Sequence, residues 1–346
     1  MKRIAVYTVI IDDYDYLKKI PEKNNNIDYI CFTNNPKLSS NDWIIKYVDN
    51  YMNLDATRFA RRIKIMSHQY LCEYEYTLFI DGNIQILKNL EGYILKYINL
   101  DFKLGMIKHP WGNNCLYKEG MGCIDWGKDT SEKILPQLEK YRELGIPENL
   151  GMVESNIIFR NNNDPKIQFL MEEWWKEVLN HSKRDQISFN YVMYKNNHKY
   201  ELLEGHSRGG SDFFFAVPHK ENNEKENIYM ELIDIIMYQL DDKTLFKREI
   251  YIFGLAKMGR FLNMCLQGKG FNVRGFLAFE TQDYITQDST EIYYEQKIIN
   301  IKNSLVIVSV EGSHQAEIIE KLKAMVGSGV EVISWRTLLY PNINIK

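Results

Sequence analysis

The sequence predicts a mixed α/β fold with a mainly parallel sheet, followed by a second and smaller α/β domain. Short apolar runs of strand length alternate with longer segments of helical periodicity, which is the pattern of βαβ units. The alternation stops at a polar, charged stretch that begins at residue 221, and it starts again at residue 248. The chain has 346 residues, which is enough for two domains that each bury a core.

The first domain is predicted to span residues 1–220. Apolar runs bounded by turn residues predict strands, and apolar residues spaced three or four apart predict helices. Strands are expected at 4–11, 28–33, 77–80, 103–109 and 155–160, helices at 55–72, 131–143, 165–180 and 184–195, and a strand followed by a helix at 84–98. Residues 110–128 are rich in Gly, Cys and Trp, and they are expected to form a long functional loop.

The second part of the chain is predicted to begin with a linker and an amphipathic helix over residues 221–247. Residues 248–346 are predicted to form a small Rossmann-like domain, because strands and helices alternate again there. Strands are expected at 248–254, 272–279, 304–310 and 330–335, and helices at 257–267 and 313–326.

A glycine pattern stands at the first turn of this second domain. Gly254, Ala256 and Gly259 form a Gly-x-Ala-x-x-Gly run between a strand and a helix, with Glu280 at the end of the next strand. The run resembles the dinucleotide-binding fingerprint and marks a second candidate nucleotide site. Because alanine replaces the middle glycine, NAD is not expected as a cofactor. A structural or partner-docking module is the alternative.

Composition excludes several classes of protein. Lys and Arg number 43 against 46 Asp and Glu, so no nucleic-acid partner is expected. Five cysteines without a CxxC pair argue against a disulfide framework and a structural zinc site. The amino terminus is expected to form a strand rather than a signal peptide, and no transmembrane helix is predicted. We therefore expect a cytoplasmic protein, and leave open both peripheral membrane contact and homo-oligomers.

The strongest candidate site lies at the end of the predicted strand 77–80. Asp81, Gly82 and Asn83 follow this strand directly, and ligands of parallel sheets bind at the carboxyl ends of strands. A carboxylate and an amide oxygen are suitable ligands for a hard divalent cation. Asp-Gly-Asn is also a common turn sequence, so a simple turn is the alternative.

A basic helix is predicted just before this strand. Arg58, Arg61, Arg62 and Lys64 fall within seven residues, and the three arginines occupy one helical face. Such a face could hold a diphosphate through charge-assisted hydrogen bonds. A solvated basic helix face is the alternative.

The succession of basic helix, apolar strand and Asp-x-Asn resembles retaining GT-A glycosyltransferases of the glycogenin and galactosyltransferase type. Over about residues 1–215 the chain more closely resembles the plant mucilage-related, turgor-regulation-defect glycosyltransferase-like family and its bacterial relatives. The segments that carry this resemblance are 6–17, 28–34, 55–86, 108–119, 151–160 and 183–192. The resemblance implies a GT-A-like fold and transfer of a sugar from a nucleotide donor.

The resemblance also implies roles for single residues. The expected catalytic residues are Asp185, Glu154 and Gln186, and His109 is expected on the acceptor side. The donor is expected to bind to Thr8, Tyr14, Asn34, Arg58, Arg61, Lys64 and Asp81. The expected metal ligands are Asp81, Asn83 and His206, with His219 as an alternative to His206. The metal would be Mn²⁺ or Mg²⁺, held more weakly because Asn83 stands where the family pattern has Asp.

Each of these assignments has a structural alternative. Asp185 could form a helix-capping pair with Ser182, Glu154 could be a strand-edge charge, and the histidines could be structural or exposed.

The expected function is therefore transfer of a sugar from a nucleotide-diphosphate donor to a glycan or lipid-linked acceptor, in surface-polysaccharide assembly. One alternative is a sugar-nucleotide-modifying or NAD-dependent enzyme that uses the second domain. Another is a catalytically degenerate binding module. A lipid-hydrolase role, attached to one branch of the resembled family, is a minor further alternative.

Overall fold

The structure is a computed structural model that describes residues 3–109, 113–207, 211–220, 229, 231–240, 247–279, 291–310 and 315–339. The chain divides into two compact units. The N-terminal unit comprises Met1–His206 and His219–Glu221, and the C-terminal unit comprises Ser207–Pro218 and Asn222–Lys346. The domain limits expected from the sequence stay predictions.

The N-terminal unit is built on a seven-stranded sheet. Its strands in chain order are β1 (Ile4–Ile10), β2 (Ile27–Thr33), β3 (Ile44–Tyr47), β4 (Tyr76–Ile80), β6 (Leu104–Lys108), β7 (Val153–Asn161) and β8 (Glu201–Leu203), and β5 (Ile84–Ile86) lies outside this sheet. The spatial order is β3-β2-β1-β4-β7-β6-β8. All neighbours are parallel except β7, which runs antiparallel to β4 and β6. The predicted α/β class with a mainly parallel sheet is confirmed.

The reversed strand β7 brings a third chain segment to the edge where β4 and β6 end. Ile80 at the end of β4 pairs with Ile157, and Lys108 at the end of β6 pairs with Val153. The amino-terminal half of β7 therefore lies at the carboxyl ends of its two neighbours. All five residues of β4 are buried, which explains why the strand is continuously apolar or aromatic apart from one threonine.

Seven helices of the N-terminal unit lie within the described residues. They are α1 (Ala56–Ile65), α2 (Ser67–Tyr70), α3 (Glu91–Asn99), α4 (Leu116–Asp125), α5 (Ser131–Glu143), α6 (Pro165–Asn180) and α7 (Asp185–Lys195). The helix predicted over 55–72 is divided into α1 and α2, because the backbone at Met66 leaves helical geometry. Asp55 caps α1 by accepting a hydrogen bond from the Arg58 N–H.

The prediction of a loop over residues 110–128 is wrong for the central part of this segment, which forms α4. Glycine-rich composition suggested a loop, yet Gly120 lies inside the helix and lets it approach α5 closely. A Cβ atom at Gly120 would come within 2.8 Å of Leu138 on α5. Glycine here serves helix packing rather than a turn. Residues 110–112 lie outside the described residues.

The C-terminal unit contains a parallel five-stranded sheet in the order β12-β11-β10-β13-β14. Its elements in chain order are β9 (Phe214–Ala216), a π-helix (Asp234–Gln239), β10 (Glu249–Phe253), α8 (Lys257–Lys269), β11 (Val273–Ala278), β12 (Ile292–Tyr294), α9 (Glu295–Ile298), β13 (Ser304–Val308), α10 (Gln315–Met325), β14 (Glu331–Ser334) and a 3₁₀ helix (Trp335–Leu339). This strand order reverses direction between β10 and β13, as in doubly wound sheets. Of the expected linker, residues 221–228 lie outside the described residues.

In the described part of the chain, none of the helices has the length and apolar character needed to cross a membrane.

Candidate active site

Four charged side chains meet at the carboxyl end of β4. Arg61 and Lys64 come from α1, Asp81 directly follows β4, and Asp185 is the first residue of α7. We call these four residues the charge cluster. Lys64 Nζ lies 2.7 Å from Asp185 Oδ2 and 3.7 Å from Asp81 Oδ1. Arg61 lies 3.3 Å from Asp185 Oδ1 through Nε and 3.6 Å from Asp81 Oδ1 through Nη1.

Local structure places each of these side chains. Arg61 and Lys64 are three residues apart on α1 and so project from one helical face. The N–H of Asp81 donates to the Asn156 carbonyl at 2.9 Å, which ties the end of β4 to β7. Asp185 lies at the amino terminus of α7, where the helix dipole favours a carboxylate.

Ser182 does not cap α7, so the alternative of a Ser182–Asp185 capping pair does not hold. The residue at the N-cap position is Arg184. The Ser182 hydroxyl instead donates to the Asp129 carboxylate at 2.7 Å.

Ser155 joins the charge cluster through a bulge in β7. Met106 pairs with Ile158, but the next residue of β6, Ile107, pairs with Glu154, so residues 155–157 form the bulge. Bulges commonly redirect a side chain. The Ser155 hydroxyl accepts a hydrogen bond from Lys64 Nζ at 3.0 Å and donates to Asp185 Oδ2 at 2.9 Å. Sequence analysis missed this residue, because a serine within a strand carries no recognisable pattern.

The centre of the charge cluster is buried. Lys64 and Asp185 are each 1% exposed, and buried charges are stable only when they are paired. Burial and the neighbouring Arg61 lower the pKa of Lys64. Burial alone would raise the pKa of Asp185, but the charges of Arg61 and Lys64 outweigh it and hold that pKa well below its usual range. Asp185 therefore stays ionised at neutral pH.

Arg61 has hydrogen-bonding capacity that the protein does not use. Its side chain is 19% exposed, and its Nε is buried without a hydrogen-bond partner. Within the described residues, its contacts with the two carboxylates are ion pairs without hydrogen-bond geometry. A partly exposed guanidinium held by long ion pairs rather than hydrogen bonds is suited to an anionic ligand such as a phosphate.

Arg58, one turn earlier on α1, contrasts with Arg61. Its Nε donates to the Val178 carbonyl, its Nη2 to the His181 carbonyl and its Nη1 to Asp55. All three guanidinium nitrogens are thus engaged within the protein. These contacts fasten α1 to the end of α6, and the predicted role of Arg58 in donor binding stays a prediction.

Asn34, one of the residues predicted to bind the donor, is hydrogen-bonded to the strained loop that follows β1. Asn34 accepts a hydrogen bond from the Asp12 N–H at 2.9 Å and donates to the Asp12 carboxylate at 2.7 Å. Asp12 and the following Asp13 both have a φ of 53°, a left-handed conformation that non-glycine residues rarely adopt. Thr8 is buried in β1, and Tyr14 is half exposed.

Asp15 is a second residue that the sequence did not single out. Its two carboxylate oxygens lie 3.0 and 3.2 Å from His219 Nδ1. A Cβ atom at Gly82 would come within 3.0 Å of Asp15 Oδ2, so this pair lies beside the Asp81–Asn83 turn. His206, the histidine expected as a metal ligand, is half buried in the bend after β8.

The residues present do not fit a ready-made divalent-cation site. Asp81 Oδ1 already has two cations within 4 Å, and Asn83 contributes no charge. Among the described residues, no three His, Cys, Asp or Glu side chains form a group that could hold a metal. Binding of Mn²⁺ or Mg²⁺ therefore stays a prediction.

The expected acceptor-side residues lie along the amino-terminal half of β7. Glu154 is buried and pairs in register with Ile107. Gln186 on α7 donates to the Val153 carbonyl at 3.0 Å, which fastens the helix to the strand. The N–H of His109 donates to the Met152 carbonyl at 3.0 Å.

The glycine turn of the C-terminal unit is closed by its own backbone. Gly254 has a φ of 105°, which only glycine adopts readily, and a Cβ atom at Gly259 would clash with the Gly254 carbonyl oxygen. The Ser309 hydroxyl lies 2.8 Å from the Phe253 carbonyl and 3.2 Å from that of Gly254. Glu280 lies outside the described residues.

Comparison with known proteins agrees with the resemblance drawn from the sequence. The family model described as TOD1/MUCI70, glycosyltransferase-like domain, matches residues 2–204, which include β1 to β8. A crystal structure of mouse xyloside xylosyltransferase 1 in its apo form matches with 11% identity and a TM-score of 0.34, over 58% of this chain and 84% of that one. No curated protein matches. The family model covers more than half of the 346 residues of this chain. The chain therefore belongs to the TOD1/MUCI70 glycosyltransferase-like domain family.

Proposed function

We propose that the chain is a glycosyltransferase that moves a sugar from a nucleotide-diphosphate donor to a hydroxyl of a glycan or lipid-linked acceptor, in surface-polysaccharide assembly. Membership of a glycosyltransferase-like family supports glycosyl transfer in general. The observation that carries the proposal is the pair of cations at the end of β4: Lys64 is buried, Arg61 is partly exposed, and both contact Asp81 only at 3.6 to 3.7 Å.

The chemistry of glycosyl transfer explains why these cations matter. When the bond between the sugar and the diphosphate breaks, negative charge develops on the departing phosphate oxygen. Cations held in place in a buried site stabilise that charge without reorganising. Arg61 offers a planar set of N–H donors that can bind two phosphate oxygens at once, and Lys64 adds a point charge.

The electrostatics of Asp185 bear on its predicted catalytic role, which could be that of a general base to the acceptor hydroxyl or of a group that orients the donor sugar. A general base works best when its pKa lies near the working pH, whereas the pKa of Asp185 is held far lower. Its short contact with Lys64 instead supports a positioning role, in which it orients Lys64 and Arg61. Glu154 and His109 stay the predicted acceptor side, and the catalytic role of Gln186 stays a prediction.

The proposal is tested by binding of nucleoside diphosphates and their sugars to the full chain. Calorimetry with UDP and GDP, followed by hydrolysis of the matching sugar nucleotides, identifies the donor class. Loss of one charge-assisted contact in Arg61→Gln should weaken binding by about 10-fold to 100-fold. Arg62→Gln on the same helix is the control: its Nε is also buried without a partner, but its Nη2 bonds to Tyr51 and Gln69, and among the described residues it forms no ion pair with Asp81 or Asp185. Equal affinities in both variants would contradict the proposal.

Nucleotide binding at the Gly254–Gly259 turn is a second candidate function. It is favoured by the left-handed Gly254, by the tight packing of Gly259 and by the doubly wound strand order. Titration of the full chain with NAD(H) and with nucleoside phosphates tests it. Binding that persists in Arg61→Gln but is lost on enlarging Ala256 to Val would support this site, and no binding outside the charge cluster would exclude it.

A further inference from the structure

The charge cluster points to donor binding without a divalent cation. Resting on the proposed function, we infer that the donor diphosphate displaces Asp81 as the counter-ion of Arg61 and Lys64, while Asp185 stays in place. The site would then take a nucleoside diphosphate directly on two protein cations.

The two carboxylates of the charge cluster are held very differently. Asp185 is 1% exposed, lies 2.7 Å from Lys64 Nζ and accepts a hydrogen bond from Ser155. The side chain of Asp81 is 26% exposed, and its two ion-pair contacts measure 3.6 and 3.7 Å. Those distances are too long for hydrogen bonds. Asp81 is therefore the partner that an incoming anion can replace.

Charge balance points the same way. Arg61 and Lys64 carry two positive charges, and Asp185 neutralises one of them. Asp81 neutralises the second, so its displacement leaves a net positive site for a diphosphate. A divalent cation on Asp81 would instead add two positive charges beside two existing cations, and like charges at such short range repel strongly. Asn83 contributes no charge to offset that repulsion.

The unused donors of Arg61 provide the third observation. Its Nε is buried and has no hydrogen-bond partner in the described part of the chain, although Asp185 Oδ1 is only 3.3 Å away. Nε faces Asp185, so the donors that a phosphate can reach are the Nη groups, of which Nη1 makes only a 3.6 Å contact with the displaceable Asp81. Phosphate oxygens provide acceptors that match the planar array of donors.

The proposed arrangement gives a balanced transfer step. The bond between the anomeric carbon and the phosphate oxygen breaks, and its electron pair leaves with the diphosphate, which Arg61 and Lys64 hold. The acceptor hydroxyl oxygen forms the new bond to the anomeric carbon and loses its proton to a base on the acceptor side. No oxidant, reductant or metal ion is needed for this balance.

The test is calorimetric binding of UDP and GDP to the full chain in EDTA, in Mn²⁺ and in Mg²⁺. We expect affinities in EDTA to lie within about twofold of those with metal, because the cations of the protein carry the contact. Arg61→Gln should weaken binding in EDTA by about 10-fold or more, and Arg62→Gln should leave it unchanged. Circular dichroism confirms that each variant is folded.

Asp81→Asn separates the two models by the sign of its effect. If Asp81 is a displaceable counter-ion, its removal should tighten diphosphate binding in EDTA by about threefold to tenfold. If Asp81 is a metal ligand, the same change should weaken binding, and only in the presence of metal.

The outcomes also distinguish this inference from the function on which it rests. Binding that requires Mn²⁺ or Mg²⁺ and is weakened by Asp81→Asn overturns metal-free binding and leaves the glycosyltransferase proposal standing. Failure of every nucleoside diphosphate to bind under all three conditions overturns both.

Discussion

In the mainly parallel sheet of the N-terminal unit and the parallel sheet of the C-terminal unit, a central strand is followed by a turn, and the two turns differ in their contacts. After β4, charged side chains gather around Asp81, and Arg61 keeps a buried donor without a partner. After β10 the chain turns at Gly254, and the Ser309 hydroxyl lies within hydrogen-bonding distance of the Phe253 and Gly254 carbonyl oxygens. At the β4 turn the two cations contact Asp81 only through long ion pairs, whereas the atoms at the β10 turn are packed closely against one another. The comparison supports the proposal that the sugar donor binds at the β4 turn.

Removing Lys64 gives the largest effect that this comparison implies. Lys64→Met leaves the buried Asp185 without its shortest ion pair, with Arg61 and the charge of Arg184 remaining, and breaking a buried pair typically lowers the free energy of unfolding by about 3–5 kcal/mol. Urea unfolding followed by circular dichroism measures this change. Hydrogen exchange resolved by peptide should show lost protection in β4 and β7 but not in β10.

A surface ion pair serves as the control for this experiment. Lys46 lies 3.0 Å from Glu73, with both side chains about one-third exposed. Lys46→Met should change stability by less than about 1 kcal/mol. If the two variants are equally stable, the buried pair does not hold the β4 turn together.

Substitution in the second turn should produce a smaller loss, confined to packing. In Gly259→Ala the new methyl group meets the Gly254 carbonyl oxygen and Ser309, and overpacking of this kind costs about 1–3 kcal/mol. Nucleoside diphosphate affinity should stay unchanged if binding belongs to the charge cluster. Unfolding curves and calorimetry measure the two quantities.

Gly268 offers a matched control on the same helix, α8. A Cβ atom there has no neighbour within 4 Å, so Gly268→Ala should stabilise the helix by about 0.5–1 kcal/mol. Loss of stability in both glycine variants alike would show that α8 does not tolerate alanine in general, and that close packing at Gly259 is not the cause.

Acid should lower the free energy of unfolding by protonating Asp185 at the β4 turn. We expect this effect to be smaller than those of Lys64→Met and Gly259→Ala. The pKa of Asp185 in the folded protein lies below its ordinary value of 3.8, because Arg61 and Lys64 outweigh the effect of burial. The unfolded chain therefore takes up this proton first as the pH falls. The stabilisation is complete above about pH 5 and is lost progressively below about pH 4.

Comparison of wild type with Asp185→Asn isolates this contribution. The variant is less stable at neutral pH, but its stability should fall less steeply between about pH 5 and about pH 3. Urea midpoints at a series of pH values give both slopes. Parallel slopes would show that Asp185 has the same affinity for protons in the folded and unfolded chain.

Much of the framework around the site could be predicted from local sequence. The apolar run before Asp81 predicted β4, and periodicity predicted α5 with its observed ends at Ser131 and Glu143. These signals are local because burial imposes a period on each element separately. The antiparallel direction of β7 could not be predicted, because an apolar strand has the same sequence pattern whether it runs parallel or antiparallel to its neighbours.

The different contacts of Arg58 and Arg61 within the basic helix could not be predicted from the local sequence either. Arg58 and Arg61 are both arginines on one face of α1. Arg58 differs because, besides its local bond to Asp55, it donates to the Val178 and His181 carbonyls at the end of α6, more than 100 residues further along the chain. Ser155 likewise reaches Lys64 through a bulge whose existence depends on how β6 and β7 are paired.

The sequence by itself determined the α/β class, the position of Asp81 at the end of a strand and the proximity of basic residues before it. Those properties follow from hydrophobic periodicity and residue order, which act over a few neighbouring residues. Only the tertiary structure decided which cations are buried, which carboxylate is fixed and which donor is left without a partner. Burial and hydrogen-bond satisfaction depend on residues that are distant in sequence, and these set the free energy of a charge.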